Sequence, residues 1–158
     1  MQGTIRDMSS KPTAKARPTP DAPVVVIGDA IVTELQETEA RGGLTSRSYV
    51  SGSALNVTMA LARLGVPVAL IASIGDDPDG VRIRAHLRKH GIRFAPSVSL
   101  AGTGRAISEP ADGEPLYTFD DAARARRIRF DDEQVALIRA APFVAISGFA
   151  FDDKKQHR

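Results

Sequence analysis

The chain has 158 residues, of which 42% are hydrophobic and 5% aromatic, so a single domain with a core of Val, Ile, Leu and Ala is expected. Its net charge of +2 argues against a nucleic-acid partner, and no apolar run approaches the ~20 residues that span a bilayer. Because cysteine is absent, disulfides and thiolate metal sites are excluded, which is typical of a protein of the reducing cytoplasm.

Residues 1–22 are rich in proline and basic residues and are predicted to form a disordered tail. No apolar segment follows the basic residues, so the tail does not have the pattern of a secretory signal. Residues 23–158 are predicted to form the folded domain. An alternative, an RNA-associated protein that uses residues 6–17 and 124–129, predicts binding that weakens steeply with salt.

Three short apolar runs, at 24–27, 67–74 and 143–147, are predicted to be strands. The first is β-branched and is closed by Gly28, which is typical of a strand buried on both faces of a parallel sheet. A helix between the first two runs would complete a strand–helix–strand unit, and such units join parallel strands by a right-handed crossover. The order of elements therefore predicts a parallel sheet of the α/β kind.

That helix is predicted over residues 53–64. Its apolar residues are spaced by 3, 4 and 3 positions and so share one face: Ala54, Val57, Leu61 and Leu64. Ser53 is predicted to cap the first turn and Gly65 to end the helix. A second helix is predicted over 78–90, where a proline suits the first turn and Gly91 the end.

The segments between these elements are more polar. Residues 35–50 are predicted to be a loop with a short strand at 46–50, and residues 92–98 a weak strand. A hairpin is predicted over 104–120 because two strand-like segments flank an Asp-Gly turn.

The C-terminal part contains a basic run at 124–129. Aromatic residues do not interleave its charges, so a solvated strand or loop is preferred to a nucleic-acid surface. A last helix is predicted over 132–140, capped by Asp131 or Asp132. Residues 152–158 are polar and are predicted to be unstructured.

The small-residue turn before the first helix is the best candidate for a binding site. A helix N-terminus directs backbone N–H groups towards a polar or anionic ligand, and Gly52 lets such a ligand approach the backbone closely. Ser53 lies beside it, and the Asn56 amide both donates and accepts hydrogen bonds, which suits sugar hydroxyls. The alternative is that these residues only begin the helix and brace its turn.

Asp29 follows the first strand directly, at the carboxyl end of the predicted sheet. Ligands of open α/β sheets gather at this edge. Two roles are therefore open for Asp29: its carboxylate contacts a ligand hydroxyl, or it holds a loop.

Two further clusters contain residue types that ligate metals. Residues 75–80 place three aspartates beside a helix start, but Asp is ordinary in a first turn and the spacing lacks the closing Glu of a calcium loop. A helix cap is therefore preferred there. His86 and His90 share a helix face without a third ligand, so zinc is not expected. No metal site is predicted in this chain.

With these motifs, the chain resembles the PfkB (ribokinase-like) family of carbohydrate kinases. The resemblance runs from about residue 24 to residue 151 and is strongest at 52–57, 60–65 and 74–80. The spacing of Asn56, Gly65 and Gly75 is that of the family's N-terminal signature.

The resemblance implies a central, mostly parallel sheet flanked by helices, with a small β lid over a sugar. Residues near 42–50 and 104–119 would be lid strands, and the lid would be the surface for a homodimer. The implied activity is transfer of the ATP γ-phosphoryl group to a sugar hydroxyl, with ATP and Mg²⁺ as cofactors and a cytoplasmic location. The sugar contacts would come from Asp29, at the pocket floor, and from Gly52, Ser53 and Asn56.

Two positions depart from the family's pattern. Ser51 stands where the first of two glycines is usual, and Thr33, followed by Glu34, stands where an acidic sugar-binding residue is common. The resemblance therefore leaves the sugar open and predicts that sugar binding is weakened.

The family's catalytic base lies in a Gly-Ala-Gly-Asp-type motif of the C-terminal half, which also carries most of the ATP site. No such motif follows Ser147 in this sequence. We therefore expect the N-terminal part of a sugar kinase, truncated at its C-terminal half, with no catalytic residue of its own and inactive alone. The alternative is a non-catalytic module that binds a sugar or a nucleotide. A truncated sheet would expose an edge and an apolar face, which predicts poor solubility or association.

Overall fold

The structure, a computed structural model, describes residues 21–38, 43–110 and 115–148. The predicted N-terminal tail, except for residues 21 and 22, lies outside these ranges. The polar segment at 152–158 and the Asp-Gly turn of the predicted hairpin also lie outside them.

The described residues form two sheets and four helices. The strands are β1 (Val24–Gly28), β2 (Ile31–Thr38), β3 (Leu44–Ser51), β4 (Val68–Ile74), β5 (Arg93–Phe94), β6 (Ser97–Val98), β7 (Arg105–Glu109), β8 (Leu116–Phe119) and β9 (Val144–Ser147). The helices are α1 (Ser53–Arg63), α2 (Pro78–Lys89), α3 (Asp121–Ala125) and α4 (Asp132–Ala140).

The first sheet, called the central sheet here, has the order β5-β4-β1-β9, and β6 extends the pairing of β4. All of its pairs are parallel. Every residue of β4 is buried because its apolar side chains alternate between two packed faces. On one face Leu70 packs in a cluster with Leu55 of α1 and Ile83 of α2, and on the other Ile71 clusters with Leu137 of α4. The predicted parallel α/β sheet is confirmed.

The second sheet, called the lid sheet here, has the order β3-β2-β7-β8. It contains the strands that the resemblance assigned to a lid. The predicted short strand at 46–50 is confirmed within β3, but the predicted loop is wrong at residues 35–38 and 44–45, because β2 and β3 pair in antiparallel fashion over eight residues each. These strands are polar along much of their length, so they lack the apolar run by which a core strand is recognised.

The predicted buried face of helix α1 is wrong in part. Ala54 is buried and Leu61 packs against the core as predicted. Val57 and Leu64 of the predicted stripe are exposed, whereas Thr58 and Met59 are buried. The Thr58 hydroxyl donates a hydrogen bond to the Ala54 carbonyl at 2.8 Å, so this polar side chain is satisfied inside the core. Apolar spacing alone therefore identified two residues of the buried face and missed those around Thr58.

The ends of the helices follow the sequence with one exception. Ser53 is wrong as the cap of α1, because Gly52 occupies the cap position and Ser53 is the first helical residue. Asp131 does cap α4, and its carboxylate accepts the Gln134 amide at 2.8 Å while the Gln134 side chain accepts from the Asp131 amide. Gly65 follows α1 with φ of 76°, as expected of the residue that ends a helix.

The predicted weak strand at 92–98 is present as two short pieces, β5 and β6. The prediction of a solvated strand or loop at 124–129 is wrong in part. Residues 121–125 form α3, and the loop after it buries Arg126. Within the described residues β9 pairs only with β1, and Ile146 on it is exposed, as expected for an open edge.

Candidate functional site

A cavity of about 340 Å³ lies between the lid sheet and the carboxyl end of β1. All four residues predicted to contact a sugar line it: Asp29, Gly52, Ser53 and Asn56. The loop after β1 and the first turn of α1 supply them, and the facing wall comes from the lid sheet. The structure therefore brings the predicted site residues together, while the sugar contacts themselves remain a prediction.

Gly52 joins the end of β3 to the start of α1, and it packs against the loop that follows β1. Its φ is 125°, and a Cβ atom there would lie 2.4 Å from the Asp29 carbonyl oxygen, so only glycine fits. The same Asp29 backbone carbonyl accepts a hydrogen bond from the Leu55 backbone N–H at 3.0 Å. The Gly52 carbonyl accepts one from the Asn56 backbone N–H at 2.8 Å. The close packing at Gly52 thus holds the helix N-terminus against the cavity.

Ser53 and Asn56 present polar side chains on the exposed first turn of α1. The Ser53 hydroxyl lies 3.0 Å from the Ser147 hydroxyl at the end of β9, which ties the helix start to the edge strand. No described residue forms a hydrogen bond with the Asn56 side-chain amide. Its donor and acceptor are therefore available to a ligand in the cavity.

Asp29 sits at the base of the cavity with 4% of its surface exposed. The Arg126 Nε donates a hydrogen bond to its Oδ1 at 2.7 Å, and Arg126 is itself only 8% exposed. Asp29 therefore does hold a loop, the one that follows α3, while it also lines the cavity. The sequence did not reveal Arg126, because nothing in the basic run distinguishes it from Arg124, Arg127 and Arg129, which are less buried.

Thr33 of β2 and Ser51 of β3 are neighbours on the face of the lid sheet that lines the cavity. Their hydroxyl oxygens lie 2.5 Å apart and share a hydrogen bond. Both side chains are buried, at 3% and 9% exposed. These are the two positions that depart from the family's pattern, and only the fold shows that they are in contact.

The turn at 75–77 is a helix cap, as the sequence predicted. The Asp77 carboxylate accepts the Gly80 amide at 2.8 Å, the Thr103 amide at 2.7 Å and the Thr103 hydroxyl at 2.7 Å. Burial acts to raise the pKa of Asp77, but the hydrogen bonds from Gly80 and Thr103 outweigh it and hold the pKa below its ordinary value. Over the three described ranges, no three His, Asp or Glu side chains are grouped to hold a metal ion.

A second cavity of about 390 Å³ lies on the outer face of the lid sheet, beside α2. The buried Asp79 accepts Arg105 of β7 at 2.5 Å and Arg82 at 3.5 Å. Arg82 also donates to the Ser48 carbonyl on β3 at 3.2 Å. The hydrogen bond and the charge of Asp79 raise the pKa of Arg105 above its ordinary value. These contacts, which the sequence did not reveal, tie strands β3 and β7 of the lid sheet to α2.

No helix in the part of the chain that the structure describes is long and apolar enough to cross a membrane.

Comparison with known proteins identifies relatives of one kind. A family model described as pfkB family carbohydrate kinase matches residues 21–156. The chain is 34% identical over 82 residues to acarbose 7(IV)-phosphotransferase of an Actinoplanes species, which covers 51% of this chain and 27% of that protein. It is 32% identical over 113 residues to 5-dehydro-2-deoxygluconokinase of Geobacillus kaustophilus, with 68% and 33% covered. The chain spans about a third of the length of the curated relatives that it matches.

Solved structures share the fold. An uncharacterized sugar kinase of Pyrococcus horikoshii in complex with ATP superposes with a TM-score of 0.72 at 18% sequence identity, covering 85% of this chain and 46% of that one. At this identity the likeness concerns the fold alone, and it agrees with the ribokinase-like architecture expected from the sequence.

Proposed function

Because the chain belongs to the pfkB family of carbohydrate kinases, we propose that residues 23–158 supply the sugar-binding part of an ATP-dependent sugar kinase. The observation that carries this proposal is the cavity under the lid sheet, which the four predicted sugar contacts line together. Its volume of about 340 Å³ suits a small ligand held by a few polar groups on an apolar surface.

The two walls of this cavity suit the two kinds of surface on a sugar. On the α1 side, the Asn56 amide and the Ser53 hydroxyl offer hydrogen bonds to ligand hydroxyls. On the lid side, Tyr49, Tyr117 and Phe119 offer aromatic faces to ligand C–H groups. The names of the relatives do not agree on one sugar, so we do not assign one from them.

The ATP-bound relative supports ATP as the phosphoryl donor in this family, and ATP would supply the γ-phosphoryl group. Within the described residues no three His, Asp or Glu side chains are grouped to hold a metal ion, and we assign no residue of this chain to Mg²⁺ or ATP. The sequence also has no Gly-Ala-Gly-Asp-type motif to supply a base. We therefore propose that the chain alone does not transfer phosphate.

A non-catalytic binding module is the second candidate. The observation that favours it is that the α1 start and the lid sheet already enclose a cavity lined by Asn56, Ser53 and three aromatic side chains. Such a module would bind a sugar and leave it unchanged. Both candidates therefore predict sugar binding, and they differ only in whether the bound sugar is meant to be phosphorylated.

The test is calorimetric titration of the full 158-residue chain with D-fructose and D-glucose, beside an assay of ADP release. We expect sugar binding that Asn56→Ala removes, because this amide faces the cavity, whereas the neighbouring exposed Val57→Ala keeps it. We expect no ADP release above background. ADP release that depends on Asn56 would contradict the proposed inactivity, and absence of sugar binding would contradict the proposed function.

We also propose that a second copy of the chain pairs through the lid sheet. Strand β8 lies at the edge of that sheet in the described residues and exposes Leu116 and Tyr117. Leu116→Asp should shift sedimentation from dimer to monomer, whereas Leu64→Asp, at an exposed position far from the lid strands in sequence, should not. A wild-type chain that sediments as a monomer would contradict this pairing.

A further inference from the structure

We propose that a third cavity, between α2 and strand β5 and called the edge cavity here, binds the phosphate group of a small phosphate monoester through Arg84 and Arg88. The edge cavity is separate from the proposed sugar site, because no residue that lines it also lines the cavity under the lid sheet. Its two walls, one apolar and one basic, match the two parts of such a ligand.

The apolar wall comes from the edge of the central sheet. Strand β5 is the first strand of that sheet in the part of the chain that the structure describes. Ile92, Phe94 and Pro96 alternate along this edge and line a cavity of about 260 Å³, as residues that share one face of a strand do. Ile92 and Phe94 also pack with the core cluster that contains Leu87 of α2. This wall is therefore held by core packing and offers apolar surface to the carbon part of a ligand.

The basic wall consists of Arg84 and Arg88, which are one helical turn apart on α2 and so lie side by side. Among the described residues, neither side chain forms an ion pair or a hydrogen bond. None of the described residues that line the edge cavity is an Asp or a Glu. Like charges at this spacing destabilise a helix, and an anion bound between them would remove that repulsion.

The cavity on the outer face of the lid sheet differs in this respect. There Arg105 and Arg82 both contact Asp79, and the Glu34 carboxylate accepts the Ser46 hydroxyl. The charged groups of that cavity therefore have partners within the fold. The two arginines of the edge cavity have no such partner among the described residues, so a ligand anion is expected there.

The ordinary preference of a helix end for cations explains only one of the two arginines. Arg88 lies in the last turn of α2, where a positive charge is favourable to the helix dipole. Arg84 lies in the middle of the helix and is half-buried, and the dipole effect falls off within the last turn. The position of Arg84 beside the cavity therefore calls for a second explanation, which an anionic ligand supplies.

Two guanidinium groups suit a phosphate monoester. Each presents N–H donors in a planar fork that matches two phosphate oxygens, and each keeps its charge at neutral pH. A phosphate monoester carries about −1.5 to −2 charges at pH 7, which balances the two arginines. Its carbon part would lie against Phe94 and Pro96 on the apolar wall. Sugar phosphates and nucleoside monophosphates share this chemistry.

The test is calorimetric titration of the full 158-residue chain with AMP, D-glucose 6-phosphate and inorganic phosphate at low ionic strength. We expect at least one monoester to bind more tightly than inorganic phosphate, because only a monoester also contacts the apolar wall. Arg84→Gln and Arg88→Gln should each weaken that binding at least about tenfold, because each loses charge-assisted hydrogen bonds. The matched control is Arg139→Gln, which removes the same charge from α4 on the other face of the central sheet and should change binding by less than about twofold.

Tighter binding of AMP would support the phosphate site and identify a nucleotide as its ligand, and tighter binding of D-glucose 6-phosphate would identify a sugar phosphate. The proposal is overturned if neither monoester binds more tightly than inorganic phosphate, or if Arg139→Gln weakens binding as much as Arg84→Gln does. Monoester binding that Asn56→Ala removes and Arg84→Gln leaves intact would belong to the cavity under the lid sheet, and it would overturn the proposal too. Glutamine is a good helix former, and circular dichroism of each variant establishes that the fold is retained.

Discussion

The central sheet and the lid sheet are held in place by different forces. Strands β1 and β4 at the centre of the first sheet are mostly apolar, and β4 is buried at every residue. The lid sheet alternates, as in β7, where exposed and buried residues follow one another. Its outer face is attached to α2 by the contacts of Arg105 with Asp79 and of Arg82 with Ser48. Apolar burial therefore determines the stability of the central sheet, and a few polar contacts determine the position of the lid sheet against α2.

The largest effect should come from the centre of the core. Leu70→Ala removes a fully buried side chain from β4 and should lower the free energy of unfolding by about 3 to 5 kcal/mol, because it loses apolar burial and leaves a cavity. Urea unfolding followed by circular dichroism measures it. The matched control is Leu64→Ala, which is exposed and should change stability by less than about 0.5 kcal/mol. Equal effects at the two positions would contradict the buried central sheet.

The junction of the two regions comes next. Asp29→Asn removes the charge that faces the buried Arg126 and should cost about 3 kcal/mol, since one partner of a buried ion pair is lost. The double variant with Arg126→Met should be less destabilised than the sum of the two single variants, because the charges act as a pair. Additive single effects in urea unfolding would show that the pair does not act as a unit.

Loss of the hydrogen bonds that Asp77 accepts from Gly80 and Thr103, called the Asp77 clamp here, should have a smaller effect on stability. Asp77→Ala removes acceptors for Gly80 and Thr103 and should cost about 1 to 2 kcal/mol, as loss of a helix cap does. Amide hydrogen exchange should rise in the first turn of α2 and near Thr103, and should stay unchanged in β4. The neighbouring exposed Asp76→Ala is the control and should leave both readouts near wild type.

The same carboxylate makes this clamp sensitive to acid. Because folding lowers the pKa of Asp77, its contribution to stability is fully present above the ordinary value of 3.8. That contribution should decline as the pH falls below 3.8 and should be lost below the lower pKa of the folded state. Chemical unfolding at a series of acidic pH values should show a steeper decline in the wild-type chain than in Asp77→Asn. An equal decline of stability in the two chains would show that Asp77 does not cause the sensitivity to acid.

The smallest effect on stability should come from the outer face of the lid sheet. Arg105→Gln removes an ion pair with Asp79 whose arginine is largely exposed, so it should cost only about 0.2 to 1 kcal/mol. The lid strands should nevertheless exchange their amides faster, because this contact fixes their position against α2. Arg93→Gln, which loses an exposed pair with Glu133 away from the lid, is the control. A cost for Arg105→Gln as large as that for Leu70→Ala would contradict the difference between the two sheets.

The two sheets also differ in how well the sequence predicted them. The strands of the central sheet were recognised because burial on both faces requires a continuous apolar run. In the lid sheet, β2 was read as part of a loop because its residues are mostly polar, and polar strands carry little local signal. The buried face of α1 was predicted only in part because Thr58 is buried. Its hydroxyl is bonded to the helix backbone, and the spacing of apolar residues does not predict a buried polar residue.

By itself, the sequence determined the parallel core, most helix ends, and the residues around Gly52 and Asn56, because these depend on local pattern and backbone geometry. The tertiary structure decided which distant residues meet. Asp29 pairs with Arg126 across 97 positions, and Thr33 meets Ser51 across 18. Such contacts depend on sheet register and loop path, which local sequence does not encode, and they define the base and the lid wall of the cavity.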